Sequence, residues 1–166
     1  MSEFAAAEAG VRQCQARYID AVWRMDFVAF ADCFTEDAEW RVPAFADGRT
    51  AESGIVDSVI KGRAACVEFF RESCIPFDRI YMTLNTPILK VNGGTAIGRT
   101  YVTERNARKD KVPFYSTAIY YDRFIQQGER WRYGLHHFQL QFMGAPDMKG
   151  EFMKVKDYGA PFGMPA

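Results

Sequence analysis

Apolar residues recur with a helical period over the first part of the chain. Val11, Cys14, Tyr18 and Ala21/Val22 fall on one stripe, which predicts a helix ending near Trp23. Asp26 is placed to cap a second helix, behind which Phe27, Phe30, Ala31 and Phe34 lie at i, i+3, i+4 and i+7. Thr35-Glu36-Asp37 breaks that pattern. Ala38 to Val42 alternate as a strand that ends at Pro43. Residues 44–61 read as a polar loop with two glycines, Gly48 and Gly54. A third helix starts near Gly62 and turns Ala65, Cys66, Phe69 and Phe70 inward.

Beyond it the period falls to two. Ile80 to Val91 predicts a strand in which Pro87 marks an edge or a bulge. Asn92-Gly93-Gly94 predicts a hairpin turn from which Thr95 to Arg105 returns. Phe114 to Phe124 and Arg130 to Phe142 form a second hairpin around Gln126-Gln127-Gly128. Helices first and long strands afterwards imply an α+β fold, with three N-terminal helices on one face of a curved antiparallel sheet. Such a sheet makes a cone whose mouth is the place for a ligand. Residues 1–143 form one domain in this reading, and the Gly- and Pro-rich tail, 144–166, runs irregularly over the surface.

Composition adds one feature. With 166 residues the chain fits a single core, yet it carries 14 Phe, 8 Tyr and 3 Trp. A domain this small has difficulty packing so many rings against each other, which points to a ring-lined pocket. Lys plus Arg equals Asp plus Glu, 21 each, so no electrostatic footprint for nucleic acid or an anionic membrane is expected. Arg105, Arg108, Lys109 and Lys111 read as a solvated loop. Cys14, Cys33, Cys66 and Cys74 show no metal-ligand spacing and read as reduced structural thiols. With neither a signal sequence nor a membrane span, a cytoplasmic location is expected.

In FADCFTEDAEW (30–40) after Tyr18 to Asp26, VNGGTAIGRTYVTER (91–105) and YYDRFIQQGERWRY (120–133), the sequence resembles the SnoaL-like branch of the nuclear transport factor 2 superfamily. The resemblance covers roughly residues 8–142. It implies the cone fold and, for most of the enzymes in the group, cofactor-free acid–base chemistry in an apolar cavity. Dehydratases and a dehydrochlorinase of that group carry an Asp on the first helix and a His on the strand after the third. Aligned with them, this chain has Trp23 and Tyr81 at those places, so the resemblance implies that their dyad is replaced.

The same alignment brings Tyr18, Glu104, Asn106 and Ser116 to pocket positions of relatives, and His137 near a final-strand arginine. His136 and His137 are the only histidines, and as strand neighbours only one can face the cone. His137, which shares parity with Gln139, is the expected inward one and the candidate acid or base. Tyr81 and Tyr18 would hydrogen-bond an oxygen where charge develops. Glu104 would orient the histidine or act as the base itself, unless it is a solvated strand-end carboxylate beside Arg105. Trp23, Trp40, Asn106, Ser116, Tyr120 and Gln139 are the expected substrate-binding set, and no cluster suggests a metal or a cofactor.

The expected function is a cofactor-independent lyase or isomerase for a small aromatic or phenolic molecule. It would lose water or a carbonyl fragment such as formaldehyde. A non-catalytic binding protein and an accessory subunit like those of ring-hydroxylating dioxygenases are the alternatives. Homodimers or homotrimers are expected.

Overall fold

The computed structural model describes residues 2–43, 57–110 and 112–149. The Ser2 hydroxyl accepts from the Ala5 N–H at 3.2 Å and starts α1, Glu3–Arg24. Its buried stripe contains Val11, Cys14, Tyr18, Ala21 and Val22, as the periodicity predicts. The helix ends on Met25 in the left-handed region, φ 50°. The Asp26 carboxylate then accepts from the Val28 and Ala29 N–H groups at 3.1 and 2.9 Å and starts α2, Phe27–Asp32.

There follow β1 (Phe34–Pro43), β2 (Asp57–Lys61), α3 (Arg63–Cys74), β3 (Phe77–Leu84), β4 (Ile88–Asn92), β5 (Thr95–Arg108), β6 (Pro113–Gln127) and β7 (Arg130–Gly144). They make one seven-stranded sheet in the order β2-β1-β7-β6-β5-β3, with β4 also on β5. The sheet is mixed, because β1 runs parallel to β7. The expected Ile80–Val91 strand is two strands on one edge of β5, separated at Asn85-Thr86-Pro87, where proline cannot donate to the ladder. β2 lies within a stretch read from the sequence as loop. Only Val59 and Ile60 are apolar there, and its pairing with β1 is set by tertiary contact. The rest of that loop, residues 44–56, and the expected tail from residue 150 onward lie outside the described residues.

Two irregularities on β7 decide which side chains face the helices. Phe124 pairs Tyr133 whereas Arg123 pairs Leu135, so Gly134 is an extra residue; Thr117 pairs Phe142 whereas Ala118 pairs Leu140, so Gln141 is another. Gly134 suits the first bulge, since a Cβ there would lie 2.9 Å from Ile125 Cγ1. The bulge puts Tyr133 and His136, three residues apart, on the same face with ring centroids 4.6 Å apart.

Between helices and sheet, Phe30 stacks on Phe70 at 4.2 Å, and Gln15 Nε2 donates to Thr100 Oγ1 at 2.9 Å, tying α1 to β5. All four cysteines are free and buried, and burial pushes the Cys33 thiol up to about 12 and the Cys66 thiol to about 11. No described helix is long and apolar enough to cross a membrane.

Candidate active site

A cavity of about 310 Å³ opens between the helices and the concave face of the sheet. That is the lower end of the range for small-molecule sites. Val22 of α1, Phe69 and Phe70 of α3, and Trp40 of β1 line it, with Ile80 and Met82 of β3 opposite. Phe138 and Leu140 of β7 complete its apolar surface. Tyr18, Glu104, Asn106, Ser116 and Tyr120 supply most of its polar groups.

Glu104 is central among them. It pairs directly across the ladder with Ser116, whose Oγ donates to its carboxylate at 2.8 Å. The Asn106 side chain, two residues along the same strand face, also hydrogen-bonds it. Burial raises the Glu104 carboxyl above its ordinary value; the Ser116 and Asn106 hydrogen bonds and the field of His136 oppose the shift. A carboxyl so placed keeps its proton to higher pH than a solvated one, at the wall of the cavity. Asn106 Oδ1 is buried with no partner among the described residues, which leaves an acceptor at the cavity wall.

Behind the polar wall lies a second network. Asp122 and His136 are cross-strand partners on β6 and β7, both fully buried, with Asp122 Oδ1 2.7 Å from His136 Nδ1. His136 Nε2 is 3.3 Å from the Tyr18 hydroxyl, which in turn hydrogen-bonds Tyr120. Burial raises the Asp122 carboxyl, while His136 and the His137 N–H pull it down. Burial also lifts the Tyr18 phenol, and the Tyr120 hydrogen bond opposes it. The imidazole is packed against the rings of Tyr120 (4.2 Å), Tyr18 (5.1 Å) and Trp40 (5.7 Å).

Six of the residues singled out from the sequence therefore meet at one cavity: Tyr18, Trp40, Glu104, Asn106, Ser116 and Tyr120. Four do not. His137 is buried on the other face of β7, beside Tyr121, because its neighbour His136 faces inward with its β1 partner Trp40. Gln139 shares that outer face, since it pairs with Ile119 while Phe138 and Tyr120 point inward together. The parity linking His137 to Gln139 holds, but the face assigned to both is reversed.

Trp23 and Tyr81 lie off the cavity, 45% and 43% exposed, packed edge to face at 5.0 Å. Trp23 Nε1 donates to the Met82 carbonyl at 2.9 Å, which holds the pair over the margin of β3. The cavity positions beside them are Val22 on the helix, and Ile80 and Met82 on the strand. The cavity wall beside Trp23 and Tyr81 is thus apolar at all three positions.

Asp122 and His136 were not singled out as a pair. The signals were a carboxylate inside the apolar run Tyr120-Tyr121-Asp122-Arg123-Phe124 and a lone glycine inside a strand pattern. The first indicates a buried charge that needs a partner, the second a bulge.

Residues 3–134 match the family model of the SnoaL-like domain. The chain belongs to the SnoaL-like domain family. Solved structures agree in fold. A type 2 hexachlorocyclohexane dehydrochlorinase superposes with TM-score 0.71 at 13% identity, covering 90% of this chain and 94% of its own. A candidate scytalone dehydratase from Novosphingobium aromaticivorans gives 0.72 at 12% identity, with 91% of each chain covered. A type 3 dehydrochlorinase from Novosphingobium barchaimii LL02 gives 0.69 at 12% identity, covering 90% and 95%. At such identities the likeness establishes the fold, and function has to be argued from the site. No curated protein matches the chain significantly. This SnoaL-like cone thus carries Glu104, Asp122 and His136 on β5, β6 and β7.

Proposed function

We propose that this protein is a cofactor-independent lyase or isomerase acting on a small, largely apolar aromatic molecule by acid–base catalysis. The observation that carries the reading is Glu104: a carboxyl raised by burial, held by Ser116 and Asn106, at the wall of an otherwise ring-lined cavity. A carboxyl tuned in this way takes a proton from carbon in an isomerisation, or gives one to the departing group in an elimination. The rings of Trp40, Phe69 and Phe138 suit a flat apolar partner, and the phenols of Tyr18 and Tyr120 face the same space. The fold neighbours named as dehydratase and dehydrochlorinase lend support, since both names describe eliminations.

The test is incubation of the protein in D₂O with a panel of neutral phenols, hydroxyaryl carbinols and cyclic ketones, read by mass spectrometry. A catalyst returns at least one compound lighter by water or a one-carbon fragment, or carrying deuterium. Glu104→Gln should slow that change by roughly 10²–10⁴-fold while the compound still binds. Compounds that bind and return unaltered and unexchanged would favour a carrier. A full rate in Glu104→Gln would remove the residue from the chemistry.

A further inference from the structure

The outer face of the sheet carries a second hollow, of about 800 Å³, which the acid–base reading does not use. Tyr81 on β3, Arg105 on β5 and Tyr115 on β6 stand in one register, Tyr81 opposite Arg105 and Arg105 opposite Tyr115. Residues so opposed share a face of the sheet. Their chain neighbours Met82, Glu104 and Ser116 line the inner cavity, so the row faces outward, where all three residues line the hollow. Arg105 and Arg108 were expected in a solvated loop; they lie instead at the end of β5. The two arginines differ in their partners. Arg108 is held by Asp110 at 2.8 Å, whereas the exposed Arg105 guanidinium meets no carboxylate among the described residues. Tyr81 is backed by Trp23, packed edge to face at 5.0 Å, so that wall is preformed. Val112 and Met148 add exposed apolar surface at the rim.

We infer that this hollow is a binding site for an aromatic monocarboxylate, held at its charged end by Arg105 and along its flat body by Tyr81 and Tyr115. The planar guanidinium presents paired N–H donors that match the two oxygens of a carboxylate. The tyrosine rings on either side, at the short spacing of the ladder, offer apolar surface to a flat molecule. A single negative charge is matched because Arg105 alone is uncommitted. The one carboxylate among the described lining residues, Asp78, opposes a second. The site lies across β5 from Glu104 and does not depend on the role given to that residue.

The test is titration of the full chain with 2-naphthoate, followed by NMR, with 2-naphthamide as the neutral counterpart and 2-naphthyl phosphate as the doubly charged one. The acid should bind about tenfold more tightly than the amide, in line with one charge-assisted pair. It should give NOEs to the Tyr115 ring and the Val112 methyls. Arg105→Gln, a change at an exposed position that leaves the fold intact, should erase the preference for the acid. Tyr115→Leu should weaken acid and amide alike, and the phosphate should bind no more tightly than the acid. No binding of the acid, equal binding of acid and amide, or a preference that survives Arg105→Gln would overturn the site. Affinities indifferent to Tyr115→Leu would do the same, as would NOEs that place the acid against Phe69 and Leu140 in the inner cavity. A phosphate bound about tenfold more tightly than the acid would contradict the class of ligand.

Discussion

Apart from Tyr18, the cavity meets only apolar side chains along α1 and β3, Val22, Ile80 and Met82 among them, whereas along β5, β6 and β7 it meets Glu104, Ser116 and Tyr120, with Asp122 and His136 behind. The two walls differ in how they can supply polar partners. On the sheet, directly opposed residues stand a fixed short distance apart, so Glu104 finds Ser116 and Asp122 finds His136 in a single register. On the other wall a polar pair would have to be assembled across a helix and a separate strand. Buried carboxyls are costly unless paired, and this chain places Glu104 and Asp122 where the ladder provides the partner.

The comparison can be broken most severely at Glu104, where Gln should cost roughly 10²–10⁴-fold in the change of any responsive compound, measured as initial rate. Next comes the buried pair. Asp122→Ala leaves His136 without its partner and should cost about 3 kcal/mol by urea denaturation, whereas removal of an exposed carboxylate such as Asp20 should cost less than about 0.5 kcal/mol. Gly134→Ala forces a methyl against Ile125 and should cost about 1–2 kcal/mol, with the His136 ring resonances displaced. Smallest is Tyr81→Phe: off the cavity and half exposed, it should leave turnover within about twofold and stability within about 0.5 kcal/mol.

Acidity gives a fifth way to sharpen the contrast. Glu104 and Asp122 both hold their protons to higher pH in the folded protein than in the unfolded chain, where carboxyls titrate near about pH 4. Folding therefore takes up protons in the window above pH 4. Stability from these two groups is greatest below that window, falls as pH rises through it, and levels off above the raised folded values. Glu104→Gln should flatten part of that slope in urea midpoints taken against pH.

Much of the architecture is legible in the sequence because it rests on local patterns. The α1 stripe, the Asp26 cap and the Asn92-Gly93-Gly94 turn each follow from short-range chemistry, and all three appear in the structure. What depends on pairing across the fold is not legible. β2 and the parallel contact of β1 with β7 leave no local trace. The site divides in the same way. Glu104, Asn106, Ser116, Tyr18, Tyr120 and Trp40 converge on the cavity, but the face of β7 was reversed, and a one-residue choice exchanges every inward side chain. On the first helix the same one-residue uncertainty separates Val22 from Trp23.

The central claim is that Glu104 is an acid–base group set by burial at the polar wall. It is tested most directly by following its carboxyl carbon in protein labelled with ¹³C-glutamate, across a pH series, with Glu104→Gln to assign the signal. The account expects a titration midpoint clearly above that of the solvent-exposed glutamates. A midpoint at or below theirs would show a stable carboxylate at that wall and contradict the claim.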